Sequence, residues 1–134
     1  YNTIMSIFVS EESFELEPIY FVPKIKNNSL VGVQIVSDDT NPDTKMLHCW
    51  ATGRDFDNFS KILESATIFN HINGESLIRR RVFYHSIITR FFKSWNIYDA
   101  QGKMVPIESH VLNKMHDSLI REMAKKWLNA TSGK

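Results

Sequence analysis

The sequence predicts an α+β domain, and three features of its patterning carry that prediction. Up to Ala51 the chain reads as short strands, apolar runs and stretches of period two separated by polar turns. The period becomes helical after Thr52, and a turn-rich stretch at residues 95–107 interrupts the helical half. The expected architecture is a small N-terminal antiparallel β-sheet followed by about three α-helices, with a short hairpin between the last two. The 134 residues suit a single domain, with residues 1–51 as its β-rich part and 52–130 as its helical part.

The strands come first. Ile4–Val9 is a short apolar run closed by Ser10, Glu11 and Glu12. Phe14, Leu16, Ile19 and Phe21 alternate with Glu15, Glu17 and Tyr20. Pro18 lies inside that run, which predicts an edge strand, a bulge or two short pieces, because proline has no N–H to give a ladder. Lys26-Asn27-Asn28-Ser29 has turn chemistry. In Leu30–Val36, Val31, Val33 and Ile35 share one face of a half-buried strand. A polar loop from Ser37 to Thr44 leads to a last strand, Met46–Ala51, and the whole reads as a small meander.

In the helical half, Thr52 can cap a helix with Asp55 three residues on, and Phe56, Phe59, Ile62 and Leu63 form its stripe. After a loop around Asn70–Gly74 comes the longest helical pattern, Glu75 to about Ser94. Leu77, Tyr84, Ile88 and Phe91 cluster on one side of it, with Arg79, Ser86, Arg90 and Lys93 nearly opposite. Phe83 and Ile87 fall off the main stripe, which leaves two readings open: a second buried face, or contact with a partner. Trp95–Tyr98 and Lys103–Ile107 flank Asp99-Ala100-Gln101-Gly102, a hairpin loop closed by glycine. The last helix is expected from Glu108 or Ser109 to about Leu128, with a break near His116-Asp117 where Asp117 can cap a new start. Leu112, Met115, Leu119, Met123 and Trp127 form its apolar stripe, and Thr131–Lys134 should fray.

Composition excludes several classes. The AVILMFWYC fraction is 43% and the charged fraction 23%, which is ordinary globular usage and not that of a disordered tail, a fibre or a disulfide-rich toxin. The single cysteine, Cys49, has no intramolecular disulfide partner and fits a reducing compartment. No apolar run is long enough to cross a membrane, and no signal peptide is visible at Tyr1. The net charge of +1 conceals a division: residues 1–70 carry five basic against ten acidic side chains, residues 71–134 eleven against five. Such opposed halves fit intramolecular complementarity, contact between copies, or merely solvated faces.

Reactive constellations are scarce. His48 adjoins Cys49, but neighbours on a strand point to opposite faces, so the two cannot form a dyad and a buried, inert thiol is expected. His48, His71, His85, His110 and His116 never fall three or four residues apart, which argues against a metal site. Asp39-x-Asn41-x-Asp43 begins like a calcium loop, but Thr44 stands where glycine is required and Trp50 where glutamate is. No phosphate-binding glycine loop, nucleophile elbow or HExxH occurs. Asn27, Asn58 and Asn129 head sequons of the kind chance supplies. No catalytic, cofactor-binding or metal-ligating residue is assigned. The basic side chains Arg79, Arg90, Lys93, Lys125 and Lys126 leave room for a nucleic-acid regulator, although Arg79-Arg80-Arg81 point in three directions and the pI is only about 8.1.

The stretch Trp95-Asn96-Ile97-Tyr98-Asp99-Ala100-Gln101-Gly102-Lys103-Met104-Val105-Pro106-Ile107 resembles small tailed-bacteriophage proteins, notably tail assembly chaperones. In these, a helix ends in tryptophan, an Asp-x-x-Gly hairpin follows, and Val-Pro-Ile or Val-Pro-Leu leads to a final helix. Thr52-Gly53-Arg54-Asp55-Phe56 is similar to the start of their preceding helix. The likeness covers the carboxyl-terminal third, with weaker support from residue 46 onward. It implies a non-enzymatic phage assembly factor, without cofactor, that binds tape-measure or tail-tube protein in the host cytoplasm, with self-association possible. Arg79, Phe83, Ile87, Arg90 and Lys93 are then the candidate contacts, and Trp95, Asp99, Gly102 and Pro106 form a structural joint. The alternatives are a structural virion component, such as a head or tail adaptor, and the nucleic-acid regulator.

Overall fold

The computed structural model describes Val9 and residues 11–132, and its architecture is α+β. Except for Val9, the expected strand at Ile4–Val9 lies outside the described residues. Strands β1 (Phe14–Glu15), β2 (Ile19–Lys26), β3 (Ser29–Val36), β4 (Lys45–Leu47) and β5 (Cys49–Ala51) come first. They are followed by α1 (Phe56–Ala66), β6 (Thr67–Phe69), β7 (Ser76–Ile78), α2 (Arg80–Phe91) and β8 (Phe92–Trp95). Helices α3 (Ser109–Leu112) and α4 (Asp117–Thr131) close the chain.

In place of the expected single meander there are two three-stranded antiparallel sheets, ordered β3-β2-β4 and β1-β5-β8, and a two-stranded ribbon, β6-β7. Pro18 accounts for part of the division: the run it interrupts becomes two pieces, one in each sheet. His48 marks the other crossing, between β4 and β5. There, where neither ladder includes His48, the Asn96 side chain accepts from the His48 N–H at 2.8 Å and donates to the Met46 carbonyl at 2.8 Å. Asn27 and Asn28 have φ of 53° and 63°, the mirror-image turn whose twist matches a two-residue hairpin. The far half of that hairpin stands clear of the core, and Val31 is the unpaired residue where the β2–β3 register shifts, so it is exposed while Val33 and Ile35 pack against the core.

The helix expected over residues 75–94 is only Arg80–Phe91. Ser76–Ile78 pairs with Thr67–Phe69 to form β7, and Phe92–Trp95 pairs with β5 to form β8. Apolar spacing in both flanks suits a helix or a strand, and the distant partner settles the choice. In β8 a bulge at Lys93 breaks the strict alternation. Phe92 and Trp95, which would otherwise face opposite ways, are thereby both buried.

Helix α1 begins three residues later than the Thr52 cap implied. Asp55 is the N-cap, its carboxylate accepting from the Asn58 N–H at 3.1 Å, and Phe56 is therefore left 82% exposed while Phe59, Ile62 and Leu63 pack inward. In α4, His116 rather than Asp117 caps the start, with Nδ1 accepting from the Ser118 N–H at 3.2 Å. The expected stripe is the buried one: Leu112, Leu119, Met123 and Trp127, with Met115 packed beside them. The last turn is held in place: Thr131 donates to the Trp127 carbonyl at 2.8 Å and accepts from Arg54 at 3.1 Å, in place of the fraying expected at that residue.

Helix α4 packs between α2 and the β2–β3 hairpin, and α1 packs against α2. The core is centred on Trp127, whose ring stacks on Phe91 at 4.4 Å and whose Nε1–H donates to the Thr52 carbonyl at 2.8 Å. The Thr52 N–H in turn donates to the Phe91 carbonyl at 3.0 Å, so residues 52–55 tie α1, α2 and α4 together. Truncating a buried tryptophan of this kind costs about 3–5 kcal/mol.

Candidate functional site

Residues 98–104 form a tight turn closed by a single bridge, and Trp95 belongs to β8. Tyr98 bridges Met104, the Gly102 N–H donates to the Asp99 carbonyl at 3.0 Å, and the Asp99 carboxylate accepts from the Gln101 and Lys103 N–H groups at 2.9 and 3.0 Å. Gly102 has φ +80°, the left-handed conformation such a turn requires. Trp95 is buried beneath it and donates from Nε1 to the Val105 carbonyl at 2.7 Å, so both faces of its amphipathic ring are satisfied. Pro106 lies at the surface just before α3.

The five candidate contacts do not form one surface. Phe83 and Ile87 are buried inside the molecule, Ile87 completely, and this corrects their reading as partner contacts. The cause is that α2 is covered on two sides: Phe83 meets Phe59 of α1 at 6.0 Å while Phe91 stacks on α4. A wide buried arc results, too broad for a single stripe to describe. Arg79 precedes the helix and turns back on α1, its guanidinium donating to the Ser65 carbonyl and its N–H to the Ala66 carbonyl at 2.7 Å. Arg90 and Lys93 remain exposed at the other end of α2, about 16 Å away by helical rise. There they share a recess of about 370 Å³ with Glu11, Asp55 and Asn58. Lys126 approaches Glu17 at 3.4 Å. The five basic groups set aside for nucleic acid are thus dispersed.

Two features that the sequence did not mark stand out. The first is the β6–β7 ribbon, an arm between α1 and α2. Its base is closed by the Arg79–Ala66 hydrogen bond, and its tip by Asn70 and Asn73 side chains accepting from the Ile72 and Glu75 N–H groups at 2.9 and 3.0 Å. Gly74 takes φ +71° to complete the turn. Ile72 at the tip is 97% exposed, and Ile68, Phe69, Leu77 and Ile78 are each about half exposed or more. These five exposed apolar side chains thus lie together on one two-stranded ribbon.

The second is a pair of neighbouring recesses, one beside β7 and the first turn of α2, the other between the first turns of α2 and α4. A recess of about 560 Å³ is lined by Leu77, Ile78, Arg80, Phe83 and Tyr84. A smaller one of about 180 Å³ is lined by Arg80, Arg81, Tyr84, His85, Asp117 and Arg121, with Ile120 among them. Arg80 and Tyr84 line both, so the two recesses are neighbours across these side chains. Arg81 meets Asp117 at 3.5 Å with both side chains largely exposed. The first turn of α2 holds no acidic residue and receives no side-chain cap. Burial, together with the positive charge of Arg81, lowers the His85 pKa below the ordinary value, opposed by Asp117, and Nε2 is buried without a hydrogen-bond partner. The arginines were visible as residues, but their convergence with Arg121 and the arm was not.

Elsewhere the chemistry is quiet. Burial pushes the Cys49 thiol up to about 12, which keeps it protonated and unreactive. Asp38 and Asn41 spend their side chains on turn hydrogen bonds to Thr40 and Asp43. Among the described residues no group of three or more His, Cys, Asp or Glu side chains is placed to hold a metal ion, and no helix is long and apolar enough to cross a membrane. Compared with known proteins, the chain matches no family model, no curated protein and no solved structure.

Proposed function

We propose that this chain is a non-enzymatic assembly factor of the phage tail-chaperone kind, acting in the host cytoplasm by binding tape-measure or tail-tube protein. The observation that carries the reading is the β6–β7 arm, which holds Ile68, Phe69, Ile72, Leu77 and Ile78 in solvent beside an otherwise well-packed core. Exposed apolar surface of this kind lowers the free energy of association with another polypeptide. The resemblance of Trp95–Ile107 to tail assembly chaperones points to the same reading.

Co-expression tests it. The expected result is a soluble complex with a long helical tail protein encoded beside this chain, weakened by Ile72→Ser and Phe69→Ser, and absence of the chain from finished particles by mass spectrometry. Stoichiometric presence in particles would move the assignment to a head or tail adaptor. Failure to bind either tail protein would overturn it.

A further inference from the structure

We infer that the two adjoining recesses along the first turn of α2 form a docking site for an amphipathic protein helix that carries carboxylates beside its apolar stripe. The inference deepens the protein-binding reading above by naming the surface and the chemistry of its occupant. Shape comes first: two recesses, one beside β7 and one beside the first turn of α4, adjoin at Arg80 and Tyr84, and a helix laid across these two side chains would fill both. The apolar side of this groove is supplied by Leu77 and Ile78, exposed by 62% and 48%, with Tyr84 lining the same recess. This is the helix-in-groove mode of recognition.

Charge decides which helix. Arg80, Arg81 and Arg121 line the groove against one carboxylate, Asp117, and among the described residues neither Arg80 nor Arg121 has an ion-pair partner. The arginines also sit where α2 itself disfavours them. A helix start carries partial positive charge, and here it has two cations in its first turn, no acidic residue and no cap. An incoming carboxylate relieves all three at once, accepting bidentate hydrogen bonds from guanidinium groups and interacting favourably with the helix end. A phosphate backbone is the poorer fit, since half of the groove is apolar and Asp117 stands at its cationic end.

The test uses the full chain and a fluorescein-labelled helical peptide with leucines at helical spacing flanked by glutamates, read by anisotropy. The control peptide has every glutamate replaced by lysine. The glutamate peptide is expected to bind at least about tenfold more tightly than the lysine peptide, a difference of about 1.4 kcal/mol. The paired substitutions Arg80→Glu and Arg121→Glu should remove that preference, and Leu77→Ser, which removes apolar contact common to both peptides, should weaken both. All these side chains are at the surface, so unchanged circular dichroism should accompany the loss; Lys26→Glu, at the tip of the β2–β3 hairpin, should leave binding intact.

Equal binding of the two peptides would overturn the inference. So would competition by single-stranded RNA that disappears in the arginine variants, or self-association in the ultracentrifuge that those variants abolish. If the peptide preference is absent while a co-expressed tail protein is still held, the groove assignment fails and the chaperone reading stands. If the preference is present and no tail protein is captured, the groove stands and that reading fails.

Discussion

Arg54 provides the sharpest test of how the helical half is held together. Its Nε donates to Thr131 Oγ1 at 3.1 Å and its Nη2 to the Leu128 carbonyl at 3.1 Å, so it closes the C-terminal turn of α4 from across the molecule. Its guanidinium carbon lies 4.5 Å from the Phe59 ring centre and 5.3 Å from that of Trp127. A hydrogen bond from a charged donor contributes about 1.5–3 kcal/mol, and a cation over an aromatic face adds about 0.5–1 kcal/mol. Because these contributions share one side chain and Arg54 keeps some contact with water, Arg54→Ala should cost about 2–4 kcal/mol, less than the separate values imply. With an unfolding entropy of about 2.1 cal/mol/K per residue over 134 residues, that is a fall in Tm of roughly 7–14 °C. Urea unfolding should show a lower midpoint at unchanged slope. Arg54→Met, which retains the apolar stem, should recover part of the loss, and Arg54→Lys should not recover all of it because lysine lacks the planar fork. A loss under about 0.5 kcal/mol for Arg54→Ala, or a lysine variant indistinguishable from the parent, would refute this account.

Four further outcomes are expected. Ile87→Ala should lower stability by about 2–5 kcal/mol in chemical denaturation, since Ile87 is core, whereas exposed Arg90→Ala should change it by less than about 0.5 kcal/mol. Asp99→Ala should cost about 1–2 kcal/mol by removing the acceptor of two turn N–H groups, and Gly102→Ala should be destabilising in the same assay because of its positive φ. Native Cys49 should resist a thiol reagent at pH 8. Its ordinary value is 9.0 and its folded value about 12, so above pH 9 the unfolded thiol ionises while the folded one keeps its proton; that contribution to stability is lost as pH rises from 9 to 12, and a Cys49→Ala variant should show a shallower decline. Arg80→Glu should raise stability by about 0.3–1 kcal/mol by placing an anion in the first turn of α2, measured by thermal unfolding at low salt.

The features legible in the sequence were those whose cause is local. Asn27-Asn28 and Asp99-x-x-Gly102 form turns because their own side chains and backbone freedom stabilise them. The α4 stripe was readable because Leu112, Leu119, Met123 and Trp127 keep helical spacing and face one core. Pro18 announced the break between β1 and β2 by its missing N–H. The inert character of Cys49 followed from its place on a buried strand.

What only tertiary structure decided depended on partners distant in the chain. Residues 76–78 and 92–95 carry apolar spacings that suit a helix, and they became strands because β6 and β5 offered them hydrogen-bonding edges. Phe83 and Ile87 moved from candidate contacts to core because α1 and α4 enclose α2 from two directions. Arg79, Arg80 and Arg81 pointed in three directions in the sequence; folding placed Arg80 and Arg81 around one recess with Arg121, about forty positions on. Local chemistry therefore determined the turns, the joint and the final helix. The course of the sheets and the composition of the groove were set by long-range packing, because an edge or a cleft exists only after separate segments have met.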